Sequence, residues 1–279
     1  MTPHVAVLTL YPLKGASGIE VPSLELDAVG PVGDRRWMLV DPDGVFLSQR
    51  STPEMALLQA RIESEPGSAP SVRMSHPVAG EGPLFELADG EPEGAERPVR
   101  IWDDSVTAVA PDAEADDWFS DALQRECHLV RLPDSERRPT DPKWAPDGRV
   151  AFADGYPLLV ASEASLAALN RRLETPLSMN RFRPNLTVAG VAEAHGEDRW
   201  RRLRIGAVEF AGVRACARCA VTTVDQSTGQ RGDEPLRTLA DYRKWDGKVW
   251  FGQNLVHLAT GVIRVGDSIE ILESGDPRY

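Results

Sequence analysis

A chain of 279 residues, 42% hydrophobic and 27% charged, is long enough to bury one large core or two modest ones. Its formal net charge of −12 argues against a general nucleic-acid surface, since a polyanion wants Lys and Arg in excess; any anionic ligand must meet a local cationic pocket. The three cysteines, Cys127, Cys216 and Cys219, are too few for a disulfide scaffold. No run approaches the roughly 20 apolar residues of a membrane helix, nor the charged-then-apolar order of a signal peptide, so a cytoplasmic protein with no membrane partner is expected.

In chain order, residues 1 to about 62 read as short strands between turns: Val5 to Leu13, Leu24 to Leu26, Arg36 to Val40, Val45 to Gln49 and Met55 to Ile62, a meander or barrel rhythm. The Pro/Gly/Ser/Glu-rich tract from Glu63 to Pro83 is expected as a long surface loop and Gly90 to Pro98 as another, with an edge strand at Leu84 to Leu87 between them. Ala113 to Glu126 places Trp118, Phe119, Ala122 and Leu123 on one face of an amphipathic helix, and a domain boundary falls there, giving parts 1–112 and 113–279. The Pro- and charge-rich segment Asp134 to Gly155 is too polar for core and too long for an ordinary connection, so it is expected as a flap over a site.

Tyr156 to Ala161 reads as a strand running into a helix capped by Ser162, with Leu166, Leu169 and Leu173 inward. Strands are expected again at Leu186 to Ala189, Leu203 to Ile205, Val208 to Phe210 and Val221 to Val224. A short helix with Leu236, Leu239 and Tyr242 follows, then strands around Val256 to Leu258, Val262 to Val265 and Ile269 to Leu272. The expected class is mainly β, or α+β, with barrel-like halves and few helices.

The stretch from Ala215 to Asp225 carries the chemistry. Its Cys-x-x-Cys pair, Cys216 and Cys219, reads as half a zinc site, a redox dithiol or two unrelated core cysteines. The zinc reading lacks a second pair, and a thioredoxin-like reading wants a βαβ context, whereas Cys219 leads into a β-branched run. Arg218 beside Cys219 would stabilise a thiolate, the form that binds soft metals. Asp225 is as good a turn former as a ligand partner, His257 sits in an apolar alternation, and Cys127 reads as a small buried hydrophobe.

Cys216-Ala-Arg-Cys-Ala-Val-Thr-Thr-Val-Asp225, followed by Glu234-Pro-Leu-Arg-Thr-Leu and Phe251-Gly-Gln-Asn, resembles the C-terminal domain shared by molybdenum-cofactor sulfurases and amidoxime-reducing components, the MOSC family. Leu10-Tyr-Pro-Leu-Lys-Gly, Gly33-Asp-Arg-Arg-Trp, Asp154-Gly-Tyr-Pro-Leu-Leu, Ser162-Glu-Ala-Ser-Leu and Asn180-Arg-Phe-Arg-Pro-Asn185 resemble the same family in the same order. The resemblance implies an N-terminal MOSC-type β-barrel domain followed by a MOSC β-barrel domain.

It further implies that Cys219 is the metal-bound, catalytic cysteine of a molybdenum cofactor, with Cys216 a bystander. Lys14, Arg35 and Arg183 would hold the pterin's anionic tail, and Asn185 would meet its ring edge. Ser162 would aim helix N–H groups at the anion; Gly15, where many relatives have Ser, would offer a backbone N–H. Arg218, Thr222 and Asp225 complete the cofactor-binding set. The implied activity is reduction of N-hydroxylated compounds such as amidoximes and hydroxylamines. Because the sequence has no four-cysteine cluster motif, electrons would come from a separate reductase, cytochrome or ferredoxin. The alternative is a non-redox carrier of the cofactor or of sulfur on Cys219; the nucleotide form of the pterin is left open.

Overall fold

The computed structural model describes residues 2–64, 69–87, 92–111, 113–136 and 138–279. The first part holds β1 (His4–Leu10), β2 (Ile19–Val21), β3 (Ser23–Leu26), β4 (Trp37–Val40), β5 (Gln59–Glu63), β6 (Ser71–His76), β7 (Gly80–Glu86), β8 (Ala95–Ile101) and β9 (Asp104–Ala110). The second holds α1 (Ala113–Leu123), β10 (His128–Arg131), β11 (Arg138–Pro139), β12 (Arg149–Val150), β13 (Leu158–Ser162), α2 (Glu163–Asn170), β14 (Leu186–Ala189), β15 (Trp200–Ile205) and β16 (Val208–Arg218). It closes with α3 (Leu236–Tyr242), β17 (Lys244–Trp245), β18 (Lys248–His257), β19 (Gly261–Arg264) and β20 (Ile269–Ser274). The protein is mainly β, with α+β character.

A nine-stranded sheet carries the site. Its order is β2-β1-β14-β13-β18-β16-β15-β20 with β17 on β18, and only β13 and β14 run parallel. β1 shows why these residues make a strand here: Val5, Leu8 and Leu10 are buried, and a bulge between Val5 and Val7 shifts the alternation to keep all three on the core side. β1 and β2 join strands of the second part, and β3 pairs with β19, so the chain's start is built into the fold of its end. The other strands of the first part form the sheets β4-β10-β9-β8 and β5-β6-β7.

The largest apolar cluster runs from Leu8 and Leu13 through Trp37, Phe85 and Phe119 to Val160, Leu186 and Phe210, spanning both parts. A small cluster of Ala161, Leu169, Phe182, Leu239 and Phe251 packs α2 and α3 on the sheet, with Phe182 and Phe251 stacked at 3.8 Å. Burying each such ring contributes roughly 1.5–3 kcal/mol, enough to fix the turn that follows Phe182.

Several expectations are corrected. Glu63 to Pro83 is not a loop outside its undescribed residues 65–68: β6 and β7 pair there, with Val72, Met74 and His76 alternately buried among polar residues that hide the period. β8 begins at Ala95, inside the expected Gly90 to Pro98 loop, whose first two residues lie outside the described ones. Met55 to Ile62 opens as a 3-10 turn, Pro53–Leu57, before β5. Val221 to Val224 is no strand either; Ala220–Thr223 is a 3-10 turn in which the Thr222 and Thr223 hydroxyls bond back to the carbonyls of Cys219 and Ala220.

The segment Asp134 to Gly155 also departs from expectation. Val150, Ala151, Phe152 and Ala153 are buried, with Ala151 and Phe152 packed beside Met38, Val40 and Ile101. Buried Arg138 donates to the carbonyls of Ala151 at 3.0 Å and Ala153 at 2.8 Å, which lets a polar segment turn inside the core without orphaned carbonyls.

Candidate functional site

One cavity collects chemistry from both parts of the chain. Its floor is a row across the large sheet: the Asn185 N–H donates to the Leu159 carbonyl at 2.9 Å, Leu159 pairs with Asn254 on β18, and β16 beside it brings Cys216 and Arg218. The walls are Lys14 and Gly15 after β1, Arg35 before β4, Phe46, Ser48, Gln49 and Arg50 after it, Trp102 in the β8–β9 turn, and Asp154 to Tyr156 leading into β13. Arg183 precedes β14, and Cys219 and Val221 follow β16.

The cationic end is a stack. The guanidinium carbons of Arg35 and Arg183 both stand over the Tyr11 ring, 4.6 Å and 4.4 Å from its centroid. Both arginines adopt left-handed backbone, φ 49° and 55°, an uncommon state for residues with a Cβ. Arg35 is held there by its N–H on the Tyr11 carbonyl at 2.7 Å and by its side chain on Asn185 Oδ1 at 3.2 Å and the Arg183 carbonyl at 3.4 Å.

Electrostatics separate the members. Burial lowers the Lys14 pKa, opposed by its ion pair with Asp154. Burial, with Arg35 nearby, takes Arg183 down to about 10, against the pull of Tyr11. Burial also works against Arg35, but Asp34 and Tyr11 outweigh it and raise that group. Two guanidinium groups therefore share one tyrosine at this end, with Asp34 answering Arg35 and Asp154 answering Lys14.

The sulfur end differs. Cys219 closes β16 and is half-buried on the cavity wall. Arg218 sends Nη1 to the Cys216 sulfur at 3.0 Å and Nη2 to the Phe182 carbonyl at 2.7 Å, so the sulfur it bonds is that of Cys216 rather than the Cys219 the sequence suggested. Its Nε is buried without a partner. Cys216 lines the same cavity. Tyr156 does too, its phenol pushed up to about 12 by burial and by Asp141, and so keeps its proton at neutral pH.

Of the residues singled out from sequence, Lys14, Gly15, Arg35, Arg183, Asn185, Arg218 and Cys219 line this cavity; Ser162, Thr222 and Asp225 do not. Ser162 does cap α2, accepting from the Ser165 N–H, but the anion at that helix start is internal: the buried Glu197 carboxylate takes the Ser162 N–H at 3.1 Å and the Ser162 hydroxyl at 2.8 Å. The Thr222 side chain is spent on the Cys219 carbonyl, and Asp225 pairs with Arg181 at 2.6 Å while bonding Ser227 and Thr228 as a turn former.

Asn185 is present but not free. Its Nδ2 donates to the Thr9 carbonyl and Asp34, and its Oδ1 accepts from Arg35 and Leu159, so it orients the arginine instead of offering an amide. Gly15 sits at φ +89°, a backbone state that side chains rarely adopt, and it is this conformation that calls for glycine, since the nearest atom to an added Cβ is the flexible end of Met55.

Arg50, Trp102, Asp154 and Cys216 also belong to the cavity. Nothing local singles out Arg50 in the sequence. Trp102 is 36% exposed, its backbone at φ 56° and its ring against Phe46 and Arg50. Among the described residues no three His, Cys, Asp or Glu side chains gather as a metal cage, so a metal here would rest on one thiolate and on atoms a ligand brings.

The chain matches the MOSC N-terminal beta barrel domain over residues 2–126 and the MOSC domain over 147–270. It is 30% identical to mitochondrial amidoxime-reducing component 1 of Homo sapiens, covering 96% of this chain and 82% of that one. It is 32% identical to mitochondrial amidoxime reducing component 2 of the same species, over 99% and 82%. Molybdenum cofactor sulfurase of Oryza sativa subsp. japonica is 32% identical over 89% of this chain, which spans 32% of that protein's length.

Proposed function

The chain belongs to the family of proteins that join a MOSC N-terminal beta barrel domain to a MOSC domain, and on that premise we propose that it is a molybdenum-cofactor oxidoreductase that reduces N-hydroxylated compounds. The observation that carries this reading is one cavity holding five cationic side chains, Lys14, Arg35, Arg50, Arg183 and Arg218, with a single lining carboxylate and the thiol of Cys219. Such a cradle suits an anionic pterin tail at one end and a soft metal at the other.

When bound, the group would supply the two-electron couple for breaking an N–O bond. Lys14, Arg35 and Arg183 would hold its phosphate, Asn185 would fix Arg35, and Cys219 would ligate the metal. Tyr156 presents a protonated phenol at the cavity wall. Two electrons and two protons convert a hydroxylamine-type N–OH to N–H with release of water. The electrons come from a separate protein donor, a reductase, cytochrome or ferredoxin. No described helix is long and apolar enough to cross a membrane; a cytoplasmic location, and a division into an N-terminal MOSC-type β domain at 1–112 and a MOSC domain at 113–279, belong to this proposal.

Similarity to the sulfurases favours a second reading, a carrier of cofactor or of sulfur on Cys219. Metal and pterin analysis of protein made with molybdate, followed by anaerobic turnover of benzamidoxime with a reduced viologen dye, separates the two. Molybdenum near one per chain with benzamidine formed supports the reductase. Cofactor without turnover, or persulfide on Cys219, supports the carrier, and stoichiometric zinc overturns both.

A further inference from the structure

We propose that Asp154 selects the ligand at this cavity, its free carboxylate oxygen accepting an N–H from an amidine-type nitrogen. The inference rests on the reductase reading and deepens it by assigning the atom that recognises the substrate.

The geometry is asymmetric. Lys14 Nζ and Trp102 Nε1 both reach Oδ1, the indole at 3.3 Å, and among the described residues no donor is recorded on Oδ2. The Asp154 side chain is 63% exposed while that of Lys14 is 9%, so the carboxylate is tied down by one oxygen and presents the other to the cavity. Although desolvation by the walls works to raise its pKa, Lys14, Arg50 and Arg35 outweigh it and keep the group ionised, well below the usual carboxylate range.

The other charged side chains of the cavity can only donate, so a ligand offering N–H groups has this one anionic acceptor. Trp102 supports it at a cost: its backbone is held at φ 56°, with Phe46 against the ring at 4.7 Å and the Arg50 guanidinium over it at 4.2 Å. Strain of this kind is retained where it fixes a ligand-facing group, and here it aims the indole N–H at Asp154. An acceptor oriented beforehand loses little freedom on binding. Once an anion neutralises Lys14, Arg35 and Arg183, the surrounding field no longer repels a protonated amidine.

The test titrates protein purified from cells supplied with molybdate, by calorimetry, with benzamidine and with benzyl alcohol, which shares the ring and lacks the N–H groups. Wild type is expected to prefer benzamidine by roughly tenfold or more, the scale of one charge-assisted hydrogen bond. Asp154→Asn should erase the preference and Asp154→Glu retain part of it. Trp102→Phe, which keeps the carboxylate and loses the indole N–H, should weaken it by about twofold to fivefold. No preference in wild type, or full preference in Asp154→Asn, overturns the proposal. Should Asp154→Asn not fold, an unchanged preference in Trp102→Phe does so. A preference lost in the variants while wild type fails to reduce benzamidoxime upholds the recognition and overturns the reductase reading alone.

Discussion

Two buried charge clusters, one behind α2 and one in the cavity, are partnered in different ways. Behind α2, Glu197 and Asp198 are 0% and 1% exposed and meet donors of the protein itself: Ser162 and Ser165 bond Glu197, and Arg243 pairs with one oxygen of Asp198, whose other oxygen is buried without a partner. In the cavity, cations outnumber carboxylates, Arg183 is pulled below its ordinary pKa by burial, and Arg218 keeps a buried Nε unmatched. A buried charge with an internal partner specifies a fold; a surplus of one sign that the fold leaves unanswered marks a place for a ligand.

The sharpest way to break this contrast is at the sulfur end. Cys219→Ser should lose essentially all bound molybdenum, read by metal analysis, while Cys216→Ser retains it; equal retention by the two variants would remove the assigned role from Cys219. The next effect belongs to the closed cluster. Glu197→Ala leaves the Ser162 N–H and two hydroxyls without their acceptor and should cost about 3–5 kcal/mol in urea unfolding, with little change in cofactor content in the folded fraction.

Removing a cavity cation should do the reverse. Arg183→Ala relieves repulsion with Arg35, so stability should hold or rise slightly while cofactor retention falls by roughly tenfold, the scale of one charged hydrogen bond. A loss of stability comparable to that of Glu197→Ala would show that the two clusters do not differ in kind.

The smallest effect is a pH dependence. Burial, with Arg243 and Arg172 nearby, presses His195 from 6.5 down to about 3, and neither ring nitrogen has a partner. Its folded pKa is depressed, so its contribution is present above pH 6.5 and is lost as pH falls toward about 3, because the unfolded chain takes the proton first. Asp198, raised to about 6 by burial against the pull of Arg243, has the opposite sign: its contribution is present below 3.8 and fades as pH rises through about 6. His195→Phe should therefore gain on wild type as pH drops from 6.5 to 4 in thermal unfolding, and a constant offset would refute the assignment.

Much of the fold was legible because hydrophobic period reports it directly. α1, α2 and β14 stand where amphipathic spacing, a serine cap and an apolar run place them. The end of β7 stands where an edge strand was expected at Leu84 to Leu87, but β6 and the start of β7 were not legible, since buried Val72 and Met74 alternate with polar residues in a tract rich in turn formers. The 3-10 turn after Cys219 was hidden for a related reason: β-branched threonines favour strands until their hydroxyls find the carbonyls behind them.

The sequence by itself determined the class of protein, the ordered motifs that bring Lys14, Arg35, Arg183 and Cys219 to attention, and the need for a local cationic pocket in an acidic chain. Only the tertiary structure decided which of those residues share a cavity. It gave the helix start at Ser162 to Glu197, spent Asn185 on Arg35, and added Arg50, Trp102 and Asp154. The reason is that burial and hydrogen-bond partnership depend on pairings between distant segments, such as β1 with β14, and no local pattern of residues records which partner a polar group will meet.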